Sequence, residues 1–326
     1  EKLAYLIDAT SAPVCVMIPL NAWGAFIISL VASTGVENPL QVFIAAVPLN
    51  LYAITAILLA GVVIWKNINL GPMKRAEERT QRGEMLWPDS VPLIDVSAEH
   101  EVVDERNPPS AWLMGLPILT MVLMMPVSLY ITGDGDIING SGSVAVLWSV
   151  CCAILVAWAM SLFKGDSSVG ELMHVFIKGA GDLLPIAIIL LLALTLGDVA
   201  NALGTGVYVA NVVSGNISPA LLPPLVFLVA AFIAFSVGSS WGTFAIMIPI
   251  AVPIAMTLGI PVPLMLGAAI SGAIFGDHAS PISDTTVLAS MASASDHIEH
   301  VRTQLPYALI AAAIAAIGFL LIGLAQ

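Results

Sequence analysis

The sequence predicts an all-α polytopic membrane protein with about nine transmembrane or re-entrant segments, some of them broken helices. Three observations carry that expectation. Apolar residues fill 59% of the 326 positions and charged residues only 10%, where a soluble domain would be roughly one-quarter charged. The apolar residues gather in runs such as Leu183–Leu196 and Leu305–Leu324, which approach or reach the ~20 residues a helix needs to cross the hydrocarbon core. Every lysine and arginine falls on one side of the membrane when successive spans alternate direction.

Apolar length, with breaks at Gly, Pro and charge, places spans near Ala12–Val31, Leu40–Ile64, Trp112–Ile131, Val144–Phe163 and Leu184–Leu203. Further spans follow near Leu221–Phe235, Thr243–Leu258, Val262–Phe275 and Leu305–Leu324. The polar stretch Lys66–Ser110 holds Lys66, Lys74, Arg75, Arg79, Arg82 and Arg106, six of the ten basic residues, so the positive-inside rule makes it cytoplasmic. Lys2, Lys164, Lys178 and Arg302 then also fall inside. The organisation expected is a membrane part over 1–65, a largely irregular cytoplasmic linker over 66–110 and a second membrane part over 111–326.

A net charge of −12, from 22 acids against 10 bases, argues against nucleic acid as a partner. Cys15, Cys151 and Cys152 lie inside apolar runs and suggest neither a disulfide nor a metal centre. No phosphate cradle, zinc motif or serine triad stands in a suitable context, so no enzyme and no cofactor is expected.

The densest polar sequence within an apolar context runs from Gly272 to His297. Asp277, His278, Ser280, Ser283, Asp284, Thr285 and Thr286 cluster there, between Gly276 and Pro281 and the residues that follow. Pro281 has no amide to donate, so carbonyls a few residues upstream lose helical partners. Unwound backbone at membrane depth must be buried in protein or line a wet cavity, which is where secondary transporters bind ions and substrates. Carboxylates, hydroxyls and bare carbonyls suit a hard cation, so sodium is expected at Asp277, Ser280 and Asp284. A carboxylate withdrawn from water could hold a proton in one state and a cation in another. The alternative is a cytoplasmic turn in which Asp277 and Asp284 cap helix ends. His278 is either a satisfied hydrogen-bond partner or a pH-sensing group.

Two further segments share this character. In Phe235–Pro249, Gly238, Ser239, Ser240, Gly242 and Thr243 interrupt apolar runs, as in a re-entrant tip, a discontinuous helix or close helix packing. In Leu6–Phe26, Asp8, Thr10, Ser11 and Pro13 echo Asp277, Ser280 and Pro281, which suggests paired repeats. Asp182 and Asp198, the latter with Asn201 and Thr205, are second-tier candidates for a pathway or a helix end.

The Gly276–Leu309 block, with its GDHASPISDTT motif, resembles the signature segment of NhaC-type sodium/proton antiporters in the wider ion-transporter superfamily. GSSWGTFAIMIPIA and DATSAPVCVMIPLNAWGAF resemble that family's other signature segments. The resemblance implies an inverted-repeat fold with broken helices and exchange of Na+, or Li+, for H+ by alternating access, in the cell membrane. It also implies a site of Asp277, Ser280, Ser283, Asp284 and Thr285, with Ser239, Ser240 and Thr243 opposite and Asp8, Thr10 and Ser11 from the first half. Relatives that exchange organic anions or amino acids keep a second cargo open. The expected partners are the lipid bilayer and a small inorganic cation, and a homodimer is compatible with the sequence. Compared with such proteins, the chain reads as beginning part-way through its first repeat.

Overall fold

The computed structural model describes residues 1–19, 21–90, 110–137, 140–164, 167–204, 208 and 218–326; at 143 and at many positions between 182 and 201 the description stops at the backbone. Every regular element among the described residues is helical. In chain order these are α1 (Lys2–Cys15), α2 (Ala22–Ser33), α3 (Pro39–Ala46), α4 (Leu51–Lys66), α5 (Pro72–Gln81), α6 (Trp112–Thr132) and α7 (Gly142–Lys164). They continue with α8 (Val169–Ala202), α9 (Leu222–Val237), α10 (Ser240–Leu258), α11 (Val262–Ala279), α12 (Asp284–Ala292) and α13 (His297–Leu324).

Six helices among the described residues are long and apolar enough to cross a bilayer, and a seventh span results if the bent pair Pro39–Leu49 and Leu51–Lys66 counts as one. This is a multi-pass membrane protein, and the described residues do not confirm the exact count of nine that the sequence suggested. The Ala12–Val31 window is not one helix: α1 ends at Cys15 and α2 begins at Ala22. Pro13 and Pro19 remove amide donors across this stretch, and the Asn21 side chain accepts the Gly24 amide at 2.9 Å, starting a new helix. The Leu40–Ile64 window bends by 45° around the 3₁₀ turn Val47–Leu49. The Leu184–Leu203 window falls in the 34-residue α8 except for its last residue.

The chain divides into two compact units. One comprises Glu1–Ile18, Ser29–Glu99 and Ala193–Gln326; the other comprises Pro19–Ile28 and His100–Leu192. In the second unit, α6 and α7 pack through Met125, Leu129 and Ala145, and only 6% of the residues in the α7 span are fully buried.

The first unit is organised around α11, whose span is 83% buried. Its glycines explain how neighbours come so close. A Cβ at Gly272 or Gly276 would collide with the carbonyl oxygens of Phe227 and Ala231 on α9, and one at Gly267 would come within 2.7 Å of the Leu49 carbonyl oxygen. Small residues are what permit such backbone approach between membrane helices. Around this packing, Tyr5, Ala9, Ala60, Val63, Met73 and Tyr307 form an apolar cluster.

Met73 brings α5 into that cluster, so the start of the stretch expected to be an irregular linker is folded. Arg79 is fully buried, with its guanidinium 2.8 Å from the Glu1 carboxylate, and it donates to the carbonyls of Glu84 and Met85. An amphipathic decapeptide with buried partners forms a helix even where composition reads as linker. Residues 91–109 lie outside the described residues.

Candidate functional site

The two interruptions anticipated around Gly238 and Pro281 meet in the first unit. α9 stops at Gly238, whose φ of 69° is a left-handed conformation natural to glycine. Ser239 then caps α10 by accepting the Gly242 amide. α11 stops at Ala279, Pro281 lies in the connecting turn, and Ser283 caps α12 by accepting the Thr286 amide at 3.2 Å. The Ser280 hydroxyl donates to the Phe235 carbonyl at 2.8 Å, tying one break to the other.

Asp277, in the last turn of α11, is completely buried. One carboxylate oxygen accepts from the hydroxyls of Ser240 at 3.2 Å and Thr285 at 3.0 Å, so it is held by the start of α10 and the start of α12 together. Its other oxygen has no hydrogen-bond partner among the described residues. A buried carboxylate oxygen without a partner is costly, and a cation or a proton would relieve that cost.

A second buried carboxylate stands nearby in the same network. Asp8, in the middle of α1, accepts from the Thr286 hydroxyl at 3.1 Å and from the Gln304 amide at 2.6 Å, both at one oxygen. Its other oxygen is unpaired and lies 3.7 Å from His278 Nε2, too far for a hydrogen bond. His278 Nδ1 is 3.0 Å from the Tyr52 hydroxyl. Gln304 also donates to the His278 carbonyl at 2.9 Å, satisfying one of the acceptors that the break at Pro281 leaves over. Farther along α11, the Ser271 hydroxyl donates to Asn50 at 2.7 Å and accepts from the Tyr52 amide, which caps the start of α4.

Of the residues singled out in the sequence, the structure thus joins Asp8, Ser240, Asp277, His278, Thr285 and Thr286 in or beside one buried network. Ser283 reaches it through Thr285 at 3.0 Å. Thr243 is buried but donates to the Ser239 carbonyl of its own helix, and Ser239 serves as the cap. Asp284 is exposed in the first turn of α12, next to the Ser283 cap, where it accepts the Thr285 amide at 2.9 Å and its charge complements the helix N-terminus. Thr10 and Ser11 are exposed and bond back to the carbonyls of Leu6 and Asp8. The side chains of Asp182 and Asp198 and the whole of Thr205 lie outside the described residues.

Tyr52, Asn50, Ser271, Ser290, His300 and Gln304 were not singled out in the sequence. The signal was present for two of them: His300 and Gln304 are polar residues four apart leading into an apolar helix, and they share its buried stripe with Tyr307 and Ala311.

A model of the Na+/H+ antiporter family matches residues 14–324. The chain belongs to that family. An uncharacterized protein of Haemophilus influenzae is 32% identical over 99% of the chain and 63% of its own length. The malate-2H(+)/Na(+)-lactate antiporter of Bacillus subtilis is 33% identical over 52% of the chain and 37% of its own length. The arginine/ornithine antiporter ArcD of Halobacterium salinarum is 29% identical over 69% of the chain and 44% of its own length. This member of the Na+/H+ antiporter family therefore spans between 37% and 63% of the length of these three relatives.

Proposed function

We propose that this protein is a secondary antiporter of the cell membrane that exchanges Na+, or Li+, for H+ by alternating access, with the 66–110 stretch on the cytoplasmic side. The observation that carries the reading is the pair of buried carboxylates, Asp277 and Asp8, each with one oxygen held by hydroxyl or amide donors and one oxygen unpaired. In one state the Asp277 carboxyl keeps its proton. When sodium enters, the proton leaves and the carboxylate takes the cation, so the site alternates between two occupants of equal charge. Ser240 and Thr285 keep the carboxylate aimed in both states, and their oxygens are themselves suitable ligands for a hard cation. Because the three groups sit on α10, α11 and α12, a shift at either helix break changes access to the site without dismantling it.

The runner-up cargo is an organic anion or an amino acid, and the family membership fits it through the lactate and arginine exchangers. Two features favour the inorganic cation. The site is anionic, and Arg79, a buried cation that could clamp an anion, is already engaged by Glu1 and two carbonyls.

The test is counterflow in proteoliposomes holding the full-length protein, with a pH gradient dissipated by sodium, lithium or potassium, each with and without malate, lactate or arginine. Dissipation by sodium or lithium alone supports the reading. Dissipation that requires an organic solute overturns it in favour of the second cargo.

A further inference from the structure

Asp8 and His278 face one another without touching, and a cavity lies beside them. It is bounded by Tyr5 and Ala9, on either side of Asp8 in α1, by Tyr52 on α4, by His278 in the last turn of α11, and by Gln304 and Tyr307 on α13. Its volume is about 10 Å³, the room that one water molecule requires. Several polar groups of the wall are already engaged. The Tyr307 hydroxyl meets the Leu70 amide at 2.7 Å and the Ile68 carbonyl at 3.2 Å. The Gln304 amide donates to Asp8 and to the His278 carbonyl. Three atoms have no hydrogen-bond partner among the described residues: Tyr5 Oη, His278 Nε2 and Asp8 Oδ1. Tyr5 and His278 are each only 2% exposed and Asp8 is fully buried, so three unmet polar atoms gathered here call for a ligand.

His278 decides what kind of ligand fits. Among the described residues, the Tyr52 hydroxyl has no acceptor other than His278 Nδ1, at 3.0 Å. Donating there leaves the hydrogen of a neutral ring on Nε2, and a charged ring carries one on Nε2 as well. The result is the same in either charge state. Nε2 is a donor, and Asp8 Oδ1 is an acceptor 3.7 Å away, too far to take the hydrogen directly. Water accepts from Nε2, donates to the carboxylate and still has bonding capacity for the Tyr5 hydroxyl. A bare cation bonds only to lone pairs and would meet the Nε2 hydrogen, while an anion would meet the Asp8 charge.

We infer that Asp8, His278 and Tyr5 form a site for one bound water, through which His278 holds the free oxygen of Asp8. Both oxygens of that carboxylate are then satisfied, one by Thr286 and Gln304 and the other by the water. The consequence for transport rests on the proposed exchange. The two buried carboxylates divide the work: the transported cation binds at Asp277, and Asp8 is a hydrated, fixed counter-charge in the same network.

The test is a structure of the full-length protein in lipid nanodiscs, determined in sodium-free and in sodium-containing buffer at a resolution that shows ordered water. We expect a density peak within about 2.7–3.2 Å of Asp8 Oδ1, His278 Nε2 and Tyr5 Oη in both buffers. In Tyr5→Phe, which keeps the ring and removes one partner, the peak loses occupancy. A cavity empty in both buffers overturns the inference, as does a peak of unchanged occupancy in Tyr5→Phe. A peak that appears only with sodium also overturns it and makes the cavity a cation site. Failure of sodium/proton exchange in proteoliposomes would leave the water peak in place, and an empty cavity would leave exchange at Asp277 intact, so the two readings fail separately.

Discussion

Gln304 donates its amide to Asp8 at 2.6 Å across 296 positions of sequence, joining the first helix of the chain to the last. The same amide holds the carbonyl of His278, so one side chain aligns a carboxylate and the end of the central helix. Removing it in Gln304→Leu strips a donor from a buried charge, worth roughly 1.5–3 kcal/mol. The expected outcome is an apparent sodium affinity weaker by about tenfold or more, measured in counterflow. An unchanged affinity would mean that Asp8 takes no part in the site.

Asp277 and Asp284 stand seven positions apart and have different surroundings. Asp277 is buried with one oxygen unpaired, whereas Asp284 is exposed in the first turn of α12. Asp277→Asn is expected to abolish sodium-dependent proton movement, while Asp284→Asn keeps most of it and lowers thermal stability by about 0.3–1 kcal/mol through the lost helix-end charge. The reverse pattern would move the cation to the surface carboxylate.

The hydroxyls of Ser240 and Thr285 bind the same oxygen of Asp277. Ser240→Ala and Thr285→Val should each weaken apparent sodium affinity by about tenfold, from a lost hydrogen bond to a charged group. The double variant should lose less than the sum of the two, because both act through one oxygen. Full additivity would indicate that they hold the ion independently.

Glycine substitutions separate packing from propensity. Gly276→Ala forces a methyl against the Ala231 carbonyl, and overpacking of this kind costs about 1–3 kcal/mol. Gly61→Ala, in the middle of α4 with open space around it, should stabilise by about 0.4–1 kcal/mol. Thermal unfolding in detergent reads both, and a Gly276→Ala protein as stable as the parent would contradict the close α9–α11 contact.

Much of the architecture was legible because hydropathy acts locally. α6, α7, α9 and α11 begin and end close to the windows read from apolar length, and the breaks at Gly238 and Pro281 fall where glycine and proline put them. The Ala12–Val31 window failed because two prolines and a capping asparagine outweighed its mean hydropathy. Within Lys66–Ser110, α5 was not legible because charge composition says nothing of whether Met73 and Arg79 find buried partners.

The sequence by itself determined that this is a multi-pass membrane protein with the motifs of the Na+/H+ antiporter family, that its helices break at Gly238 and Pro281, and that carboxylates and hydroxyls gather at those breaks. These are properties of neighbouring residues, set by amide donors, ring closure and transfer to lipid. Only the tertiary structure decided that Asp8 enters the network while Thr10 and Ser11 face away, that Asp284 stands exposed beside the Ser283 cap, and that Gln304, His300 and Ser290 complete the polar core. Those outcomes depend on which face of each helix turns inward, and a contact between positions 8 and 304 has no local signal to announce it.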